Sequence, residues 1–195
     1  MIGITGCIGS GKSVVSRILR TQCFKVYDCD WEARAIMESS LELKAEISSL
    51  LGSDCVRDDF TLNRSRIADI VFQDADKLAW LNSRVHSLVK NDVIAKQVQY
   101  DGYGPFFVES AILKSSGLAD LCKEIWVVTA NEYTCVTRAS VRDSVPYEKV
   151  QMRLGIQQNE CIGFKDDITV RIIHNDGKTQ LLPQIKQLLS LTENK

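Results

Sequence analysis

At 195 residues, with 24 Lys plus Arg against 25 Asp plus Glu and a net charge of −1, the chain is long enough to bury a core of its own. It carries no dense basic tract, which excludes the electrostatic footprint of a general nucleic-acid binder. No apolar run approaches the roughly 20 residues of a membrane span, and the N-terminus enters a strand pattern at once, so a cytosolic protein without a signal peptide or membrane partner is expected.

The first pattern is a buried strand, Met1-Ile2-Gly3-Ile4, followed by Gly6-Cys7-Ile8-Gly9-Ser10-Gly11-Lys12-Ser13 and then by helix-spaced Val14, Val15, Ile18 and Leu19. The middle segment fits G-x-x-x-x-G-K-[ST] at every required position, between the strand and helix that this motif needs. Backbone without Cβ can wrap a triphosphate closely and present successive N–H groups with a helix N-terminus. Gly9, Ser10, Gly11, Lys12, Ser13 and Val14 are therefore candidates to ring the phosphates, with Lys12 on the β/γ oxygens and the Ser13 hydroxyl as a Mg²⁺ ligand. Cys7 lies inside this loop, where a helix N-terminus lowers a thiol pKa, yet its expected role is that of a small filler. The seven cysteines, at 7, 23, 29, 55, 122, 135 and 161, are scattered without a C-x-x-C pair, a set that suits reduced thiols better than disulfides or zinc.

Lys12 to Gln22 reads as a helix and Phe24 to Tyr27 as a strand ending in Asp28-Cys29-Asp30. A strand, helix, strand unit this short implies a right-handed crossover between parallel strands. Asp28 and Asp30 are then expected on the same sheet edge as the phosphate loop, where ligands bind in open α/β sheets, acting on metal or acceptor. Trp31 to Leu51 is helical with a break near Ser39-Ser40, carrying Ala33, Ile36, Met37, Leu41, Ile47, Leu50 and Leu51 as its apolar positions. Gly52 to Asn63 is polar loop, Arg64 to Phe72 is helical again, and Asp76 to about Val98 forms a long amphipathic helix. These helices are far longer than a usual crossover, which makes them a candidate acceptor-binding region. His86 sits beside Val85 in the long helix, a placement that favours packing or capping over catalysis.

After the turn cluster Asp101 to Pro105 comes a buried strand, Phe106-Phe107-Val108, closed by Glu109, where a Walker B carboxylate would lie and contact Mg²⁺ or water. Ile125 to Val128 is the next strand, and Thr129-Ala130-Asn131 opens a helix bearing Arg138 and Arg142. Pro146 starts another helix, with Lys149 and Arg153. Arginines on a mobile segment over a phosphate loop neutralise charge on a transferring phosphoryl group and exclude water on closing. Arg171 to Gly177 is a last strand and turn, and Lys178 to Leu191 is a terminal packing helix with Leu181, Leu182, Ile185, Leu188 and Leu189 on one face. Pro183 suits its first turn.

The phosphate loop, Asp28-x-Asp30, the run Thr61-Leu62-Asn63-Arg64, Ile70-Val71-Phe72, and Trp80-Leu81-Asn82 through His86 together resemble the dephospho-CoA kinase family. Arg138 to Asp143 (R-x-x-x-R-D), Gln157 and Ile172-Ile173-His174-Asn175 are similar to that family's lid and nucleotide-base loop, so the likeness spans nearly the whole chain. The chain differs from the family pattern at Ser87, where proline is usual, at Glu109 to Ser115, which lacks a proline and a closing glutamate, and at Thr169-Val170, where Ala-Asp is usual.

The resemblance implies an α/β, three-layer P-loop kinase fold with a parallel sheet in a single domain. Its core would cover about 1–30, 104–135 and 168–195, a helical acceptor-binding region about 31–100, and a helical lid about 138–165. It implies transfer of the ATP γ-phosphoryl group to the ribose 3′-hydroxyl of dephospho-CoA, the last step of coenzyme A synthesis, with Mg²⁺. Lys12, Arg138 and Arg142 would serve the transferring group, Asp30 or alternatively Asp28 would take the hydroxyl proton, and Asn175 would meet the nucleotide. Asp28, Arg64, His86 and Glu109 would line the acceptor. Two other readings fit the loop alone: a nucleoside or nucleoside-monophosphate kinase, and a non-catalytic nucleotide module. A GTPase switch would need Asn-Lys-x-Asp, which does not occur in the chain. No motif specifies an oligomeric state.

Overall fold

The computed structural model describes residues 1–193. The chain forms two compact units, one of Met1–Asp28 with Lys96–Lys195 and one of Cys29–Ala95.

The first unit is built on a five-stranded sheet of β1 (Ile2–Thr5), β2 (Lys25–Asp28), β3 (Phe106–Glu109), β4 (Glu124–Thr129) and β5 (Thr169–His174), in the order β2-β3-β1-β4-β5. All four pairings are parallel. β1 and β3 are buried along their whole length. Such strands read as continuous apolar runs because both faces of a parallel sheet are covered. β2 and β1 are parallel as expected, but β3 lies between them, so the phosphate-loop strand occupies the centre. β5, at an edge, begins two residues before the Arg171 start expected from the apolar run and leaves Val170 and Ile172 exposed.

One sheet face is covered by α1 (Lys12–Thr21) and α8 (Leu181–Glu193). Val15 and Leu19 from α1 and Ile185 and Leu189 from α8 pack on Ile2, Ile4, Val26, Phe107, Trp126, Val128 and Ile173. The helix after β1 buries Val15, Ser16 and Leu19, so Val14 faces outward. α8 starts at Leu181 and not Lys178, because the Asp176 carboxylate accepts the Lys178 and Thr179 N–H groups and holds a local turn there. That phase turns Leu182 out to solvent, against the expected single apolar face, and leaves Pro183 in the first turn.

α6 (Glu132–Asp143) and α7 (Tyr147–Gln157) form a second core, in which Cys135, Val136, Ala139, Val150 and Leu154 are buried and Cys7 and Ile8 of the phosphate loop pack against them. Asn131 caps α6 by accepting the Thr134 N–H at 2.8 Å. Pro146 is the residue before α7, one position ahead of the first turn in which it was expected.

The second unit is helical: α2 (Cys29–Ser39), α3 (Leu41–Leu51), α4 (Arg64–Val71) and most of α5 (Ala75–Gln99). Ser40 both separates α2 from α3 and caps α3, accepting the Leu43 N–H. Leu43, Ile47, Leu51, Cys55, Leu62, Ile67, Val71 and Leu81 form its core, while Leu41 and Leu50, apolar in pattern, are exposed.

Candidate active site

Between β1 and α1 the phosphate loop is a tight fold that side chains at its glycines would break. Gly9 and Gly11 have φ of +77° and +99°, and a Cβ on Gly9 would lie 2.0 Å from the Cys135 carbonyl oxygen. Inside the turn, Ser10 N–H donates to the Cys7 carbonyl. The N–H groups of Gly9, Gly11 and Ser13 donate to no other group among the described residues. Converging amides of this kind suit an anion. Lys12 Nζ is held at the loop by the carbonyls of Gly6 (2.6 Å) and Cys7 (3.2 Å). The Ser13 side chain is exposed in the first turn of α1, and Ser10 is buried with a hydroxyl that has no protein partner. This donor set fits a nucleotide polyphosphate.

Three contacts fix the loop from outside. Asn175, just after β5, donates its side-chain amide to the Ser10 carbonyl at 2.8 Å, and its own carbonyl accepts Arg138 Nη1 at 3.1 Å. Ile8 N–H donates to Gln157 Oε1 at 2.7 Å. Beside it, Cys7 and Cys161 approach to 3.9 Å between sulfurs. Arg142 makes a two-point contact with its neighbour Asp143, at 2.7 and 2.9 Å. The two arginines expected together are thus differently engaged: Arg138 is tied to Asn175, and Arg142 to the end of its own helix.

The acids divide between the units. Asp28 closes β2, pairs in register with Glu109 on β3, and lies 4.0 Å from Arg20 Nη2. Glu109 is 9 % exposed, and its Oε2 is among the buried oxygens without a hydrogen bond. Burial pushes its carboxyl above the ordinary value, and the charge of Asp28 adds to this, while Ser16, Lys12 and Arg20 oppose it. Asp30 does not continue the strand end, as its sequence position suggested. α2 begins at Cys29, which places Asp30, exposed, in the first turn of that helix in the second unit. Acids favour that position because it faces the positive end of the helix dipole.

In the second unit Arg64, the first residue of α4, lies 3.6 Å from Glu38 and donates to the Arg34 carbonyl. His86 is half-buried on α5.

The sequence model of the dephospho-CoA kinase family matches residues 1–180. A dephospho-CoA kinase of Porphyromonas gingivalis is 34 % identical over 194 residues, covering 100 % of this chain and 95 % of its own. The chain belongs to the dephospho-CoA kinase family. Members catalyse the final step of coenzyme A biosynthesis with ATP as phosphate donor. A solved Thermus thermophilus protein is 26 % identical with a TM-score of 0.76, covering 99 % of this chain and 95 % of its own. A solved dephospho-CoA kinase from Campylobacter jejuni shares the fold, with a TM-score of 0.69 at 21 % identity over 99 % of this chain and 97 % of its own.

The segment Glu109 to Ser115 is held by contacts from a distant part of the chain. The Glu160 carboxylate accepts the N–H groups of Lys114 and Ser115, at 3.1 and 3.0 Å. Lys114 Nζ reaches the Ile162 carbonyl at 3.0 Å. The segment after β3 is thereby tied to the segment after α7.

Sequence reasoning overlooked Glu38. One of its oxygens accepts the Leu62 N–H and lies 3.5 Å from Lys44 Nζ, the other faces Arg64, and Lys44 also donates to the Phe60 carbonyl. The available signal was a lysine inside an otherwise apolar helix face, since a nearly buried ammonium needs partners.

Among the described residues no group of three or more His, Cys, Asp and Glu side chains forms a metal site, and no helix is long and apolar enough to cross a membrane.

Proposed function

We propose that the chain phosphorylates the ribose 3′-hydroxyl of dephospho-CoA through the phosphate loop and the residues that hold it, as a cytosolic enzyme without nucleic-acid or membrane partners. The observation that carries this reading is the set of Gly9, Gly11 and Ser13 amides around Lys12, braced by Asn175 and Gln157. The loop amides from Gly9 to Val14 and Lys12 hold the β- and γ-phosphates, and Asn175 borders the nucleotide. Ser13 would be the protein ligand of Mg²⁺. Bound there, Mg²⁺ neutralises charge on the phosphates.

Phosphoryl transfer needs positioning and charge stabilisation more than covalent help. Arg138 supplies cationic charge at the γ-phosphoryl, and the segment 138–165 serves as the lid. Arg142, held by Asp143, contributes less. Asp30 accepts the 3′-hydroxyl proton, with Asp28 as the alternative. The region 31–100 binds the acceptor through Arg64 and His86. Glu109 supports the site from beneath, as a buried carboxyl between Ser16 and Asp28.

An acceptor panel with ATP tests the reading. Dephospho-CoA is expected to be phosphorylated in preference to AMP and nucleosides, with one phosphoryl group added at the 3′ position by mass and NMR. Preference for AMP or a nucleoside would assign the chain another acceptor.

A further inference from the structure

Cys7 and Cys161 form a thiol pair that the phosphoryl-transfer chemistry does not use. Cys7 is the second residue of the phosphate loop, and Cys161 ends the short turn Gln158–Cys161 that follows α7. Their sulfurs are 3.9 Å apart although the residues are 154 positions apart in sequence. The pair is oriented by its surroundings. Cys161 Sγ also contacts the Gln157 carbonyl, and the Gln157 side chain accepts the Ile8 N–H, so neighbouring residues bind the two segments together.

The contact is asymmetric. The Cys161 thiol, with help from the Lys12 ammonium, pulls the Cys7 thiol down to about 7 against the effect of burial, while the same contact and burial push Cys161 up. The lowering at Cys7 favours it as the attacking thiolate and leaves Cys161 as the resolving thiol. Both are half-buried, so a small oxidant reaches them. The remaining cysteine near Cys7 is Cys135, which is 2 % exposed and donates its thiol to the Ala130 carbonyl.

We propose that Cys7 and Cys161 are a peroxide-reactive pair that closes to a disulfide across the mouth of the phosphate loop and switches the kinase off reversibly. The oxidant is hydrogen peroxide. The Cys7 thiolate attacks one peroxide oxygen, the O–O bond breaks, and the leaving hydroxide takes a proton to become water, which leaves Cys7 as a sulfenic acid. Cys161 sulfur then attacks the Cys7 sulfur. The S–O bond breaks, and the hydroxyl leaves with the Cys161 proton as a second water. Two thiols and one peroxide give one disulfide and two waters, the two electrons passing from sulfur to oxygen. A dithiol returns them by exchange.

Closure brings the sulfurs from 3.9 Å to about 2.05 Å. The shift falls partly on the loop that positions the phosphates, where a displacement of about 1 Å costs on the order of 10²-fold in rate. The inhibitory consequence rests on the loop being the ATP site, whereas the formation of the disulfide does not.

The test is peroxide titration of the whole protein, read by peptide mass mapping and by ATP turnover. A Cys7–Cys161 linked peptide is expected, lighter by two hydrogens, with turnover falling at least tenfold and returning on addition of dithiothreitol. Cys161→Ser is expected to form no link and to leave a Cys7 sulfenic acid that dimedone traps. Three outcomes overturn the proposal: both thiols intact after peroxide, a link from Cys7 to Cys135 instead, or a complete Cys7–Cys161 link with unaltered turnover. The last would place the fault in the site assignment, since the thiol chemistry would stand.

Discussion

Asn175 and Ser10 are joined across the sheet edge: the Asn175 side-chain amide donates to the Ser10 carbonyl at 2.8 Å, and Arg138 donates to the Asn175 carbonyl at 3.1 Å. One asparagine therefore links the phosphate loop to α6. Asn175→Ala removes the first bond and leaves the Ser10 carbonyl without that donor. A neutral hydrogen bond contributes about 0.5–1.5 kcal/mol net. The KM for ATP is expected to rise about threefold to tenfold while the KM for the acceptor stays within about twofold, as steady-state kinetics with each substrate varied would read.

At Gly9 the backbone is left-handed, and a Cβ would meet the Cys135 backbone at 2.0 Å. Backbone cannot swing aside as a long side chain can, so Gly9→Ala must move the loop or α6. Loss of measurable ATP binding by calorimetry is expected, together with a lowered melting temperature. Unchanged ATP affinity would show that the loop tolerates a shift this account forbids.

Arg138 and Arg142 share a helix but not a partner. Removal of one preorganised cationic donor from a site of this type costs on the order of 10²–10³ in kcat. Arg138→Ala is expected to fall in that range. Arg142→Ala breaks an exposed contact with its neighbour Asp143 and is expected to stay within about fivefold of the parent. Parallel kcat measurements on the two variants check the ordering.

Glu109 is buried, and burial raises its carboxyl above the ordinary value. The native state therefore holds this proton more tightly than the unfolded chain does. Its contribution to stability is most favourable at low pH, declines as pH rises from the unfolded value through the folded one, and is fully unfavourable above that. Glu109→Gln keeps the shape and removes the charge. Its melting temperature is expected to exceed that of the parent near pH 7, by about 2–4 °C for each kcal/mol gained, with the gap closing toward pH 4. Scanning calorimetry at both pH values measures it, and a less stable variant near pH 7 would contradict the burial argument.

The strands and the phosphate loop were legible because their signals are local. A run such as Phe106 to Glu109 has only one favourable place, and the glycines and Lys12 form a fixed pattern. Strand order was not legible, because insertion of β3 between β1 and β2 is decided by long-range pairing. Helix ends shifted: the Asp176 side chain took over backbone groups and delayed α8, and α2 began at Cys29, early enough to carry Asp30 off the strand. At the site, Lys12, Asn175 and Arg138 could be named beforehand. The hub at Glu38, the Glu160 contacts to Lys114 and Ser115, and the approach of Cys161 to Cys7 join residues from distant segments without a spacing rule, so no single stretch of sequence contained them.

The most direct test of the central claim is a coupled ADP-release assay run with and without dephospho-CoA on the parent protein, Lys12→Ala and Asp30→Asn. ADP release that depends on dephospho-CoA is predicted for the parent, falling by on the order of 10²-fold or more in Lys12→Ala and strongly in Asp30→Asn, with both variants folded by circular dichroism. Release that ignores dephospho-CoA, or variants that keep near-parent turnover, would contradict it.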